Sequence, residues 1–323
     1  MKGKSRYDET QTSCSGGGQQ QDSNPDSSLE SPLAIRLEGG LGNQIFHYAN
    51  YINLQALNKR KIYLDASYYK THSGANARNL EITNFHIPPV FITNKRELCK
   101  IIKYNYAFFL LRSAIIAIFR IFGRKPPIKP TNKTLDLPYS IYKDMAQLNE
   151  NLSKYNYITR EFLWNLNAIL PLRPLLKSQL TPSFTLNKAN LAMLQRIQSS
   201  PKSCFLHIRR GDYVNLSEYD LLGLDYYFKA MQVMKERLGE GVEFFIFGND
   251  LSFMAEHFSD FCIVNINDEA NVSCDFVLMR ACKNAILANS SLSGIIGFLC
   301  DGIVVYSKDA MPQTPHLPHF IGV

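Results

Sequence analysis

His207-Ile208-Arg209-Arg210-Gly211-Asp212 gathers an imidazole, two guanidiniums and a carboxylate within six residues. The short apolar run before it, Ser203-Cys204-Phe205-Leu206, reads as a buried strand. The charged groups therefore stand at a strand's carboxyl end, where open α/β sheets present ligands. Adjacent guanidinium forks beside a glycine suit a phosphate-rich ligand, because they bind its oxygens bidentately and keep their charge. A surface salt-bridge cluster is the other use of paired arginines, and the strand-end position argues against it.

Two further loops follow strands in the same half of the chain. Phe245-Ile246-Phe247 runs into Gly248-Asn249-Asp250, and Ala285-Ile286-Leu287-Ala288 runs into Asn289-Ser290-Ser291, with Ser293 close behind. All three loops should open on one sheet edge. Hydroxyls and amide N–H groups at a helix amino end would face a phosphate, although helix capping is the commoner use of Ser and Asn there. Asp250 could accept from the ring N–H and exocyclic amine of guanine, or simply shape a turn. In the first half, Gly39-Gly40-Leu41-Gly42-Asn43-Gln44 departs from the dinucleotide pattern Gly-x-Gly-x-x-Gly, yet a glycine-rich strand-to-helix loop lets backbone approach a ligand. No His/Cys/Glu cluster has metal spacing, and no Asp-x-Asp follows a strand. With a nucleoside diphosphate as ligand, the arginines would have to replace a metal electrostatically.

The elements around these motifs form an alternating pattern. Leu33–Glu38 reads as a strand, Ile45–Asn58 as a helix and Ile62–Asp65 as a second strand. Strands over Phe205–Ile208, Val242–Phe247, Cys262–Val264, Ala285–Ala288 and Ile303–Tyr306 alternate with helices over Leu186–Ser199, Asp225–Leu238, Asp275–Cys282 and Leu292–Cys300. That alternation describes doubly wound parallel sheets. The 323 residues, 46% hydrophobic, are long enough for about two domains. We expect a disordered polar extension over residues 1–32, an α/β domain over 33–182 and a ligand-binding Rossmann-like domain over 183–323, the first of the two domains becoming the acceptor side under the resemblance given below.

The net charge of +7 admits acidic partners. Dispersed basic residues without a zinc-finger or aromatic RNA-binding signature argue against nucleic acid. Seven scattered cysteines without a Cys-x-x-Cys pair suggest free thiols in a reducing compartment. No signal-peptide core is read at the amino end, so a cytoplasmic location is expected. Residues 104–122 are strongly apolar but broken by Arg112 and Arg120 and flanked by Lys100, Lys103, Arg124 and Lys125. They read either as a core helix or as an interfacial helix resting peripherally on an anionic membrane.

Together the motifs resemble the α-1,2-fucosyltransferases of glycosyltransferase family 11. The resemblance spans about residues 33–307. It rests on Gly39-Gly40-Leu41-Gly42-Asn43-Gln44-Ile45-Phe46-His47-Tyr48-Ala49, on His207 through Val214, on Leu224-Asp225-Tyr226-Tyr227, on Phe245 through Asp250, and on Leu278 through Ser291. It implies a GT-B fold of two Rossmann-like domains facing a cleft, no cofactor, and metal-free inverting transfer of L-fucose from GDP-L-fucose to the 2-hydroxyl of a terminal β-galactoside. It implies that Arg209 and Arg210 stabilise the departing β-phosphate and that His207 and Asp250 contact guanine. Asn289, Ser290, Ser291 and Ser293 would bind the donor, and Asn43 would reach its phosphate or fucose beside Gly39, Gly40 and Gly42. Asp212 is a candidate base, or a carboxylate that orients the arginines. The chain departs from the family pattern at Asn284 (usually His), at Leu292-Ser293-Gly294-Ile295 (usually Phe-Ser-Trp-Trp after the Ser/Thr), at Gly248-Asn249-Asp250 (usually Ser-Asp-Asp) and at Arg160-Glu161-Phe162-Leu163-Trp164 (usually a Gly-Tyr-Phe-Gln block). The departures raise two alternatives: a degenerate GDP-sugar or glycan-binding protein, and an enzyme that uses the same donor on another hydroxyl.

Overall fold

A computed structural model describes residues 32–71, 78–88, 91–103, 106–123, 134–136, 157–159, 166–210, 221–267, 271–312, 314–315 and 317–323. Residues 1–31 of the expected disordered extension, Asp212 and the 160–164 departure lie outside the described residues.

The first half holds strands β1 (Leu33–Arg36), β2 (Ile62–Asp65), β3 (Phe91–Ile92), β4 (Thr134–Asp136) and β5 (Tyr157–Thr159), with helices α1 (Leu41–Leu57), α2 (Ser67–Thr71), α3 (Lys95–Ile101) and α4 (Tyr106–Ile121). The strands form a sheet of order β3-β2-β1-β5-β4, parallel throughout. Helices α5 (Arg173–Gln179) and α6 (Lys188–Ser199) lead to the second sheet. There β6 (Ser203–Ile208), α7 (Leu224–Leu238), β7 (Glu243–Gly248), α8 (Leu251–His257), β8 (Cys262–Ile263), α9 (Val272–Ala281), β9 (Asn284–Ile286), α10 (Ser291–Leu299), β10 (Val304–Tyr306) and β11 (Phe320–Gly322) follow in turn. Their sheet order is β11-β10-β9-β6-β7-β8, again all parallel. Renumbered within this half it is the dinucleotide-fold order 3-2-1-4-5-6, which reverses between β6 and β9. The fold is α/β with two doubly wound parallel sheets, as expected. The glycine block differs in one respect. α1 begins at Leu41, so Gly42 and Asn43 belong to its first turn, and only Gly39-Gly40 is loop.

Strand alternation divides the interior into layers. In β6, Phe205 joins a core shared by both sheets, while Cys204, Leu206 and Ile208 face a second core under α7 and α8. In β1, Leu33 and Ile35 join the shared core and Ala34 faces a third cluster with Leu98 and Tyr157. The shared core runs unbroken from Ile45 and Ile82 to Phe276 and Ile295. Phe85 meets Phe276 edge-on across the two halves, with ring centroids 5.0 Å apart. Polar contacts stitch the same seam. Arg173 donates to the carbonyls of Phe298 and Cys300 and pairs with Asp301, and Arg280 donates to the carbonyls of Lys177 and Leu180.

The tightest contact across the seam joins two helix amino ends. α1 crosses α10 at Gly42, where a methyl group would overlap the backbone of Ser291 and Leu292. The opposing atoms are backbone and cannot move aside as a side-chain tip would. Gly42→Ala should therefore force α1 and α10 apart and destabilise the fold by about 1–3 kcal/mol. Chemical denaturation of both proteins checks this, and an unchanged midpoint would contradict the packing.

Candidate functional site

Both halves wall one cleft of about 670 Å³. From the first half come Gly39, Gly40, Gly42 and Asn43, with Tyr68, Arg78 and Glu81; from the second come His207, Arg209, Asn249, Ser290 and Ser291, with Asn267 and Asp275. The cleft thus opens beyond the carboxyl ends of β1, β6, β7 and β9, and in the second sheet at the point where strand order reverses.

The Gly39-Gly40 turn is held from several directions. Gly39 sits at φ +78°, a left-handed conformation that costs glycine nothing sterically. Its carbonyl accepts from the Tyr69 hydroxyl and from the Gln44 amide. Gln44 is fully buried and uses both ends of its side chain. Its Nε2 also donates to the carbonyl of Asn79, and its Oε1 accepts from the backbone N–H groups of Glu81 and Ile82. Gln44 thereby ties the glycine turn to the 79–82 segment on the cleft wall. The first turn of α1 carries no acidic side chain, nor does that of α10, so neither positive helix end is neutralised locally.

The strand-end motif divides its side chains. Consecutive residues leave a strand on opposite sides. Arg209 lines the cleft, and its backbone N–H bonds to the hydroxyl of buried Tyr227. Arg210 turns to the other side, lies 4.0 Å over the Phe253 ring and pairs with Asp250 at 3.4 Å. Asp250 itself caps α8, accepting from the Phe253 backbone N–H at 3.0 Å, and Asn249 Oδ1 accepts from the Arg210 N–H. Neither Arg210 nor Asp250 is part of the cleft lining.

The serine loop also divides its side chains, here at a helix amino end. Ser290 is the N-cap residue of α10 but makes no side-chain capping bond, and with Ser291 it lines the cleft. Fully buried Ser293 instead accepts from the Ala288 backbone N–H at 2.9 Å and fixes the loop. Asn289 and Ser293 do not line the cleft.

His207 is 6% exposed, and its Nδ1 has no hydrogen-bond partner among the described residues. Burial, aided by the neighbouring Arg209 charge, pushes its pKa down to about 3, so the ring is neutral at physiological pH. It offers the cleft a neutral imidazole.

Glu81 has no counterpart among the residues expected from sequence. It is 6% exposed at the cleft wall, and its Oε2 accepts from the Ser273 hydroxyl of α9 at 2.8 Å, while Asn84 donates to that same hydroxyl. Burial pushes its pKa up to about 7, against the lowering effect of the Ser273 bonds and Arg78. Nearby Asp275 adds to the rise and accepts from Asn267. Among the described residues no group of three His, Cys, Asp or Glu could hold a metal ion. The six described cysteines are free thiols.

A model for glycosyl transferase family 11 matches residues 139–311. The chain belongs to glycosyl transferase family 11. Among similar family members is the O-antigen biosynthesis glycosyltransferase WbnK of Escherichia coli, 28% identical over 275 residues that cover 80% of this chain and 86% of that protein. An alpha-1,2-colitosyltransferase of the same organism is 27% identical over 273 residues, covering 81% of this chain and 85% of the other. The fold matches the crystal structure of NodZ alpha-1,6-fucosyltransferase soaked with GDP-fucose, with a TM-score of 0.50, 12% identity, and coverage of 91% of this chain and all of that one. This family 11 protein is a glycosyltransferase with a GT-B-type fold.

Desolvation at the cleft floor has a measurable consequence. The ring protons of His207 should show no titration between pH 5 and 8 by NMR, because a buried imidazole beside Arg209 stays neutral there. A midpoint near 6.5 would show that the ring is solvated.

Proposed function

We propose that this glycosyltransferase moves L-fucose, with inversion, from GDP-L-fucose to the 2-hydroxyl of a terminal β-galactoside, without a metal ion. One observation carries the reading: Arg209 and the amino ends of α1 and α10 converge on a single cleft with His207. As the bond from anomeric carbon to phosphate breaks, negative charge grows on the departing GDP. A fixed guanidinium and two rigid helix ends stabilise that charge with little reorganisation. Arg209 binds the diphosphate, Ser290 and Ser291 donate to phosphate or ribose, and the His207 Nδ1 hydrogen-bonds the nucleotide. Asn43 and the Gly39-Gly40 turn meet the phosphate or fucose from the other side. Arg210, clamped between Asp250 and Phe253, holds the loop that aims Arg209.

The name of one relative supports the linkage, and a fold neighbour supports the donor. One is named for α-1,2 transfer and the other for O-antigen assembly, and NodZ was soaked with GDP-fucose. A catalytically degenerate chain is the second reading: the departures at Asn284, Gly294 and Ile295 do not line the cleft, whereas those at Gly248, Asn249 and Leu292 do. Asn284 bridges the carbonyl of Ser203 and the N–H of Ile303, Ile295 is buried, and Gly294 faces the Met311 methyl.

Arg209→Ala should lower transfer from GDP-fucose to lactose by about 10²–10³-fold, the usual loss when a transition-state charge donor is removed. Its melting temperature should match that of the parent. Activity should survive EDTA. A fully active Arg209→Ala protein, or activity abolished by chelation, would contradict the assignment.

The anionic membrane contact is proposed on separate grounds. α4 places Leu110, Leu111, Ile118, Ile121 and, just beyond it, Phe122 in solvent, with Ile121 79% and Phe122 72% exposed. None of these belongs to a core cluster. Between Leu98 and Leu135 the sequence has eight basic residues and no acidic one. No helix among the described residues is long and apolar enough to cross a membrane. An apolar face within a wholly basic stretch suits the interface of an anionic bilayer. The protein should co-sediment with phosphatidylglycerol vesicles and not with phosphatidylcholine vesicles, and Ile121→Asp with Phe122→Asp should release it. Equal partition to both vesicles, or undiminished binding of the double variant, would refute the contact.

A further inference from the structure

Transfer to a sugar hydroxyl needs a proton acceptor; the strand-end candidate, Asp212, lies outside the described residues and stands between its use as a base and as a partner of the arginines. We propose that Glu81 is the base that removes the proton from the acceptor hydroxyl. The inference rests on the donor reading above and extends it to the opposite wall of the cleft.

The geometry fits the task. Arg209 and the serines belong to the second half of the chain and Glu81 to the first, and all of them line one cleft, so Glu81 is placed to meet an acceptor that enters from the first half. Its carboxylate is fixed, because Ser273 donates to one oxygen and the segment's backbone hangs from Gln44. Among the other cleft-wall groups, Arg78 is a permanent cation, and Asp275 is the second carboxylate, paired with Asn267 on the α9 side. As the acceptor oxygen bonds to the anomeric carbon, the carbon–phosphate oxygen bond breaks and its electron pair leaves with GDP. The hydroxyl proton passes to Glu81 and later to solvent, so atoms and charge balance.

The ionisation of Glu81 is suited to this step. A base works best with a pKa near the operating pH, and burial holds Glu81 at about 7. The groups that bear on it are Arg78 from its own segment, and Ser273 and Asp275 from α9. The carboxylate must be ionised to accept the proton, so kcat/KM should rise with pH and level off above about 7. Linkage gives the opposite sign for stability. A carboxyl whose pKa is raised by folding stabilises the fold while protonated, and that contribution fades as pH rises through 7.

Glu81→Gln separates the proposed role from a structural one, because the amide oxygen can still accept from Ser273 and carries no charge. The variant should bind GDP calorimetrically as the parent does. It should melt at the same or a higher temperature at pH 8, yet transfer fucose to lactose roughly 10²–10⁴-fold more slowly, without the acidic limb of the pH profile. Glu81→Asp, with its shorter reach, should retain more activity than Glu81→Gln. A Glu81→Gln protein with parental turnover and an unchanged acidic limb overturns the proposal. Failure of the donor reading looks different: the parent itself would bind no GDP.

Discussion

The rest of the site depends on the approach of two helix amino ends where Gly42 meets Ser291 and Leu292. The contact permits no side chain, and its proximity fixes more than packing. Each helix end carries roughly half a positive charge, and two such ends repel. The repulsion persists in the empty cleft and is relieved by a bound anion. The shared core and the Arg173–Asp301 and Arg280 contacts hold the halves together against it. Binding an anionic diphosphate is therefore favourable for a reason built into the backbone and independent of any single side chain. Arg209 adds to a positive field that already exists.

The same enclosure that strengthens this field also controls the protons around it. Low polarity keeps His207 neutral beside a guanidinium and makes ionisation of Glu81 costly. The two shifts come from one cause and have different uses. A neutral imidazole is suited to the proposed hydrogen bond with a nucleotide, because it does not compete with Arg209 for phosphate charge. A carboxyl poised near neutrality can exchange a proton. Ser273 lowers the cost of keeping that carboxyl buried while leaving it titratable, and it does so from the opposite half of the molecule.

Much of this was legible in the sequence, and the failures follow a pattern. β2 falls on the expected residues, and β6, β7, β9 and β10 lie within two residues of the expected bounds, because buried parallel strands are short, continuous apolar runs with punctuated ends. The short elements α2, α3, α5, α8, β3, β4, β5 and β11 escaped, since a turn or two of helix, or a strand of two or three residues, carries too little periodicity to register. The helix start was misplaced because Leu41-Gly42-Asn43 looks like a loop locally, yet α10 and the Gln44 bonds support it as helix. Motif reading also treated neighbours alike. It grouped Arg209 with Arg210, and Ser290 with Ser293, whereas in each pair the first lines the cleft and the second bonds into the framework, Arg210 to Asp250 and Ser293 to the Ala288 N–H. Glu81 was invisible for a deeper reason. Arg78-Asn79-Leu80-Glu81-Ile82 has no spacing signature, and its burial depends on Ser273, 192 positions away.

Gln44 shows how such a distant dependence is enforced. One buried amide makes four hydrogen bonds, two from its Nε2 to the carbonyls of Gly39 and Asn79 and two at its Oε1 from the N–H groups of Glu81 and Ile82. It reads as part of a ligand-binding glycine block, but its own contacts are wholly internal. Its place in the first turn of α1 means that the helix end, the glycine turn and the Glu81 segment move as one piece. Any displacement of α1 against α10 would thus shift the donor's phosphate site and the proposed base together. In a cleft built from two halves, that rigidity would keep the proposed base in register with the groups proposed to receive the leaving charge, and the inverting displacement proposed above requires both at once.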